Sequence, residues 1–245
     1  MLFQYDEFLF MHILILGGTG GIGSALIKAY LSQDAVNHIH ATYHNSHPTI
    51  EHPQLTWHRT DVSKDSDVTK LSETVGQLDI VINAVGMLHS GDMMPEKTIT
   101  QFDSDFFNQN ISTNVLPTLL IAKHLSPKLK SKTLNYFVTV SAKIGSIEDN
   151  NLGGWISYRS SKAALNMALK TISIEWKNKK FNTCVFAFHP GTTDTNLSKP
   201  FQRNVPEGNL QTPEKVAAAL INLLQRLSLK DNGKFFSYDG TEIPW

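Results

Sequence analysis

Short apolar runs alternate with amphipathic stretches from residue 12 to the end of the chain, the pattern of parallel strands joined by crossover helices. The runs at 12–16, 38–43, 55–59, 80–84, 134–140, 183–188 and 234–237 predict seven strands. Between them, apolar residues recurring every three or four positions predict helices over 21–32, 65–75, 103–130, 157–178 and 213–227. The start of the last helix shows the local logic in Thr212-Pro213-Glu214. The threonine can cap, the proline suits the first helical position, and the glutamate faces the positive end of the helix dipole. No linker or internal repeat interrupts the alternation, so residues 11–245 are expected to form a single α/β domain. Its sheet is doubly wound, mostly parallel and seven-stranded, with helices on both faces.

Composition leaves that picture in place. At 245 residues, 41% hydrophobic and 18% charged, the chain resembles an ordinary soluble globular protein with one substantial core. Basic and acidic residues balance at 22 each, so no net field draws it toward nucleic acid or an acidic membrane. The single cysteine, Cys184, sits in an apolar run and permits no intrachain disulfide, which fits a reducing cytosol. No apolar run is long enough to cross a bilayer, and residues 1–10 carry Asp6 and Glu7 without the basic start of a secretory signal. A cytoplasmic location is expected. Residues 1–10 read as an extension ahead of a natural start at Met11.

Chemistry concentrates at the ends of the predicted strands. The first strand runs directly into Gly17-Gly18-Thr19-Gly20-Gly21-Ile22-Gly23, and a helix follows. Glycines there let the backbone turn tightly and approach phosphates, while the helix start offers free N–H groups and a positive dipole end. Far downstream, Tyr158 and Lys162 stand one helical turn apart. On a shared helix face the ammonium is expected to favour the ionised phenol and bring a group that titrates near 10 toward neutrality.

The spacing Gly17-x3-Gly21-x-Gly23 resembles that of the short-chain dehydrogenase/reductase family, and further motifs agree along nearly the whole chain from His12 onward. They are Asp61-Val62, Asn83-Ala84-Val85-Gly86, Asn114-Val115, Tyr158-x3-Lys162 and Pro190-Gly191. Gly153-Gly154-Trp155 and His189-Pro190-Gly191-Thr192-Thr193-Asp194-Thr195 are most similar to the subgroup of C-factor proteins and small carbonyl reductases. The resemblance implies a Rossmann fold and an NAD(P)-dependent oxidoreductase that reduces a carbonyl or oxidises an alcohol on a small apolar substrate. It implies that Gly17, Thr19, Gly21, Ile22 and Gly23 hold the pyrophosphate, that Asp61 and Val62 meet the adenine, and that Asn83, Ala84 and Gly86 line the adenosine ribose. Tyr158 would exchange the proton with substrate, Lys162 would tune it and hold the nicotinamide ribose, and Asn114 would support a relaying water. Pro190, Gly191, Thr193 and Thr195 would meet the nicotinamide and phosphates. A homodimer or homotetramer is implied by resemblance alone.

Cofactor choice turns on Tyr43-His44-Asn45 at the end of the second strand, where an acid would bind a ribose 2′-hydroxyl and repel a 2′-phosphate. No acid stands there, and His44 brings partial positive charge, so NADP is favoured over NAD. The family's Ser-Ser-x-x-Gly reads Ser141-Ala142-Lys143-Ile144-Gly145 here, placing Ala142 where the carbonyl-polarising serine is expected. Ser141 is the preferred substitute and Ser146 the alternative. Residues 195–206 read as a lid and residues 146–154 as part of the substrate rim. The histidines His38, His40, His44, His47, His52 and His58 lack a recognisable ligand spacing, so no metal is expected. The competing function is a dinucleotide-binding signalling protein of C-factor type with weak or no turnover. Hydrolysis by a serine is disfavoured because no Gly-x-Ser-x-Gly elbow is present.

Overall fold

The computed structural model describes residues 11–245, so the expected extension over residues 1–10 lies outside the described residues. Seven parallel strands form one sheet, as the alternation predicts, and their order is β3-β2-β1-β4-β5-β6-β9. They are β1 (Met11–Leu16), β2 (Val36–Tyr43), β3 (Leu55–Arg59), β4 (Ile80–Asn83), β5 (Asn135–Val140), β6 (Thr183–His189) and β9 (Lys234–Ser237). A two-residue pair that the apolar pattern does not predict, β7 (Thr192–Thr193) with β8 (Leu210–Gln211), lies outside this sheet.

Successive strand side chains point to opposite faces, and here both faces are covered, which is why the strands read as continuous apolar runs. In β1, Ile13 and Ile15 join a core with Leu26 and Ile27 of α1 (Gly21–Leu31) and Val216 and Leu220 of α6 (Pro213–Leu224). Leu14 and Leu16 join a second core on the opposite face. There they meet Val68 and Leu71 of α2 (Asp65–Thr74), Ile121 and Leu125 of α4 (Leu116–Leu125), and Leu165 and Leu169 of α5 (Ile156–Asn178). Strand order reverses between β1 and β4, and a crevice opens beyond the C-terminal ends of those strands.

The single helix predicted over 103–130 is instead α3 (Ser104–Asn114), α4 and a 3-10 turn, Ser126–Leu129. Val115, at φ −109° and ψ −54°, closes α3 and opens α4. Pro117 in the first turn of α4 has no N–H to donate, and its ring would collide with the carbonyl of Thr113 in a continuous helix. Pro127 ends α4 by the same chemistry. Among the described residues, no helix is long and apolar enough to cross a membrane.

Candidate active site

The glycine turn after β1 is shaped by close approach. Gly17 takes the left-handed region at φ +74°, with its N–H donating to Thr42 Oγ1 at 3.1 Å, and a Cβ on Gly23 would fall 2.2 Å from Gly17 O. Any side chain at 23 would force the first turn of α1 away from β1. No side chain caps α1, so its first N–H groups and positive dipole end face the cavity that Thr19, Gly21 and Ile22 help to line.

That cavity, about 920 Å³, continues along the C-terminal edge of the sheet past Ala84 and Gly86 to Ser141, Tyr158 and Lys162, then to Pro190, Gly191, Thr193 and Thr195. Gly17, Gly23, His44, Asp61, Val62, Asn83 and Asn114 stand outside its lining and shape it from behind or from its edge. Asn83 is buried, donating to Thr118 Oγ1 at 3.0 Å and accepting from Val85 N at 3.0 Å, which fixes the loop after β4. Asp61 accepts from Ser63 N and Oγ, with Lys64 Nζ at 3.3 Å and His44 Nε2 at 3.8 Å. Partial burial opposes its ionisation, but the Ser63 hydrogen bonds and the Lys64 ammonium hold its carboxyl below the usual carboxylate range.

At the other end, Lys162 Nζ lies 5.8 Å from the Tyr158 ring centre and donates to Val140 O at 3.1 Å. Both side chains are buried. Burial lowers Lys162 to about 8 and pushes the Tyr158 phenol above its ordinary value, the reverse of the direction expected for a tyrosine beside a lysine. Desolvation wins here because it disfavours both charged forms at once. Asn114 does not reach the cavity. Its Oδ1 accepts from Met87 N at 2.7 Å and its Nδ2 donates to Met87 O and Ser161 Oγ, each at 2.9 Å, so it clamps the loop after β4 to α5. A Cβ on Gly86 would lie 3.4 Å from Asn114 Oδ1 and 3.5 Å from Lys162 Nζ, which places that loop beside the lysine.

Of the two serines weighed, Ser141 lines the cavity, with its hydroxyl donating to Asn166 Oδ1 at 2.6 Å. Ser146 lies outside the lining and points to Trp245 O at 3.4 Å. Residues 146–154, expected at the substrate rim, do not line the cavity, and Ile147 N and Glu148 N donate to Trp245 O. The next residue, Trp155, does line it. It follows Gly153 and Gly154, and all three take positive φ, with Trp155 at +53°. Trp155 packs against Phe201 at 4.9 Å between ring centres, and Phe201 lies 6.0 Å from His89. Phe201 belongs to a 3-10 segment, Lys199–Asn204, so residues 195–206 do cross over this end of the cavity.

Glu96 holds Trp155 in place. Its carboxylate is buried and accepts from Ser157 N at 3.2 Å and from the Ser157 hydroxyl, while its carbonyl accepts from Trp155 N at 2.5 Å. The sequence reading assigns no role to Glu96, His89, Trp155 or His189. Trp155 carried a signal in the two preceding glycines, and His189 in its position at a strand's C-terminal end.

A doubly wound parallel sheet, with a glycine turn at its switch point and a buried tyrosine and lysine along the same crevice, defines a Rossmann-type dinucleotide-binding protein. The chain belongs to the short-chain dehydrogenase family of oxidoreductases, whose family model matches residues 11–206. It is 30% identical over 170 residues to the C-signal protein of Myxococcus xanthus, covering 69% of this chain and 94% of that one. Its fold matches the carbonyl reductase Sniffer of D. melanogaster with a TM-score of 0.81 at 23% identity, covering 96% of this chain and 99% of that one. An NADPH-bound carbonyl reductase from chicken fatty liver superposes with a TM-score of 0.83 at 23% identity, covering 96% and 94%.

Proposed function

We propose that this protein reduces the carbonyl of a small apolar substrate, or oxidises the corresponding alcohol, with NADP(H) favoured over NAD(H). The observation that carries this reading is the placement of Tyr158 and Lys162 in the wall of the cavity that reaches back to the glycine turn. The turn suits a dinucleotide pyrophosphate, because a Cβ at Gly23 would run into the Gly17 backbone and one at Gly17 into Val85 Cγ2, which keeps the turn tight, and the N–H groups of α1 are uncapped. At the adenosine end, His44 and Lys64 offset the Asp61 carboxylate, and no acid ends β2, which supports a 2′-phosphate. Bound there, the dinucleotide would supply or accept the hydride.

The chain's own residues handle the proton. Burial keeps the Tyr158 phenol protonated until negative charge develops on the substrate oxygen, and the phenol then donates. Lys162, titrating at about 8, can return a proton near neutrality. Asn114 positions the Met87 backbone beside it, where a water relay would run. Ser141 shares the wall, and its hydroxyl reaches substrate only by turning from Asn166. Trp155, Phe201 and Leu197 supply an apolar surface for the substrate body. Exposed Leu119 on α4 and Met167 and Ile174 on α5 support a homodimer or homotetramer.

A dinucleotide-binding signalling protein with little turnover is the second reading, favoured by Ala142 and by the similarity to C-signal. NADPH fluorescence titration, run beside turnover on a panel of aldehydes, ketones and quinones, separates the two. Binding with turnover is expected. Binding without turnover on every compound would favour the signalling reading.

A further inference from the structure

The cavity that Tyr158 lines holds a second side chain that the mechanism above does not use. His189 ends β6 and lines the cavity. The ladder pairs Val140 with Phe188, and Ser141 N donates to Phe188 O at 2.8 Å, so the next positions, Ser141 and His189, lie side by side. Val140 and Phe188 face the α1 and α6 core. Alternation therefore sends Ser141 and His189 to the α5 face, where Tyr158 and Lys162 stand.

Among the described residues neither ring nitrogen of His189 has a hydrogen-bond partner, and of the two it is Nδ1 that is fully buried. A neutral imidazole carries one N–H. On Nδ1 that proton would meet nothing, while on Nε2 it can be solvated from the cavity, so the tautomer assigned by these surroundings is Nε2–H. Burial, reinforced by the Lys143 ammonium against the carboxylates of Asp239 and Asp149, lowers the imidazole to about 4. It is a neutral donor at neutral pH.

The rival donors on this wall are engaged. The Ser141 proton lies on Asn166 Oδ1 and Lys143 Nζ lies 3.4 Å from Asp149, while position 142 is an alanine. We propose that His189 Nε2–H donates to the carbonyl oxygen of the substrate, filling the role for which position 142 offers no hydroxyl. This inference rests on the carbonyl oxidoreductase reading above. No bond to His189 forms or breaks. The hydride goes to the carbonyl carbon and the proton from Tyr158 to the oxygen, and His189 only stabilises the charge that develops on that oxygen. Removing one such donor costs on the order of 100-fold or more in rate.

The test uses the full chain with NADPH and the best carbonyl compound from the panel. His189→Leu is expected to lower kcat/KM by about 100-fold while NADPH affinity stays within about 3-fold. His189→Gln, whose amide nitrogen can reach the place of Nε2, and Ala142→Ser in the His189→Leu background are each expected to recover about 10-fold or more of that loss. Wild-type turnover in His189→Leu would overturn the inference and leave the oxidoreductase reading standing. Loss of NADPH binding in His189→Leu, or failure of both rescues, would assign His189 a structural role and also overturn it. A wild-type protein that binds NADPH and turns over nothing would remove the oxidoreductase reading itself, and this inference with it.

Discussion

Desolvation decides the state of Tyr158, and the proposed proton donation rests on it. On that proposal the buried phenol, with Lys162 Nζ 5.8 Å from its ring centre, would give up its proton when an anion forms beside it, and not before. Tyr158→Phe keeps the ring and the cavity wall and removes only the proton. Its kcat should fall by roughly 10² to 10⁴ with NADPH binding unchanged, as stopped-flow and fluorescence titration would measure; equal turnover would rule out the acid role. The Tyr158 and Lys162 pair was legible in sequence because helical spacing alone sets them on one face. The direction of the phenol's shift was not, since burial depends on β5 and the 3-10 turn Lys143–Gly145, which press on α5 so closely that a Cβ at Gly145 would lie 2.6 Å from Lys162 Cβ. His189 was legible only as a position at a strand's end. A histidine before Pro-Gly looks ordinary until its strand is paired and one ring nitrogen is found without a partner.

At the scale of elements, α5, which carries Tyr158 and Lys162, is anchored at its first turn. Glu96 meets the N–H and hydroxyl of Ser157 where the α5 dipole favours a carboxylate. Glu96→Ala should leave those buried donors unpaired and cost about 1–3 kcal/mol in urea unfolding, and it should raise KM more than it lowers kcat because Trp155 is released with the clasp. A variant as stable as the wild type would show that the clasp contributes nothing. All seven strands of the main sheet were legible, because burial on both faces writes continuous apolar runs. The division of 103–130 was not. Both α3 and α4 bury apolar faces and the periodicity runs on through Val115, while a proline is acceptable in any helix's first turn, so position 117 announced a break only once the helix start was known.

Across the whole molecule, stability is tied to acid through histidines. On one face of β1, β2 and β3, Asn37 Nδ2 contacts His12 Nε2 at 2.8 Å, His38 contacts Thr56 at 2.8 Å, and His40 Nδ1 contacts His58 Nε2 at 3.0 Å. Burial first, then the neighbouring His58, His38 and His12, lowers His40 to about 4, and burial lowers His38 and His58 as well. The unfolded chain binds these protons near 6.5, above the folded values, so between about 6.5 and 4 it holds more protons than the native state and stability falls as pH falls. Melting temperature should therefore be level between about pH 6.5 and 8, where Lys162 begins to titrate, and decline toward pH 4, and His40→Gln should flatten part of that slope. Asp231 and Asp239 are held below the usual carboxylate range, so their contribution disappears only at lower pH and does not mimic the histidine slope. A flat profile through this window would refute the linkage. The left-handed Trp155 carries a different consequence, for how the chain could change over generations. A bulky residue at φ +53° costs about 1–3 kcal/mol that glycine would not. Selection for heat resistance alone would weigh that strain against the packing of Trp155 on Tyr158 and Phe201, so position 155 is where durability and the shape of the aromatic end of the cavity pull on one residue.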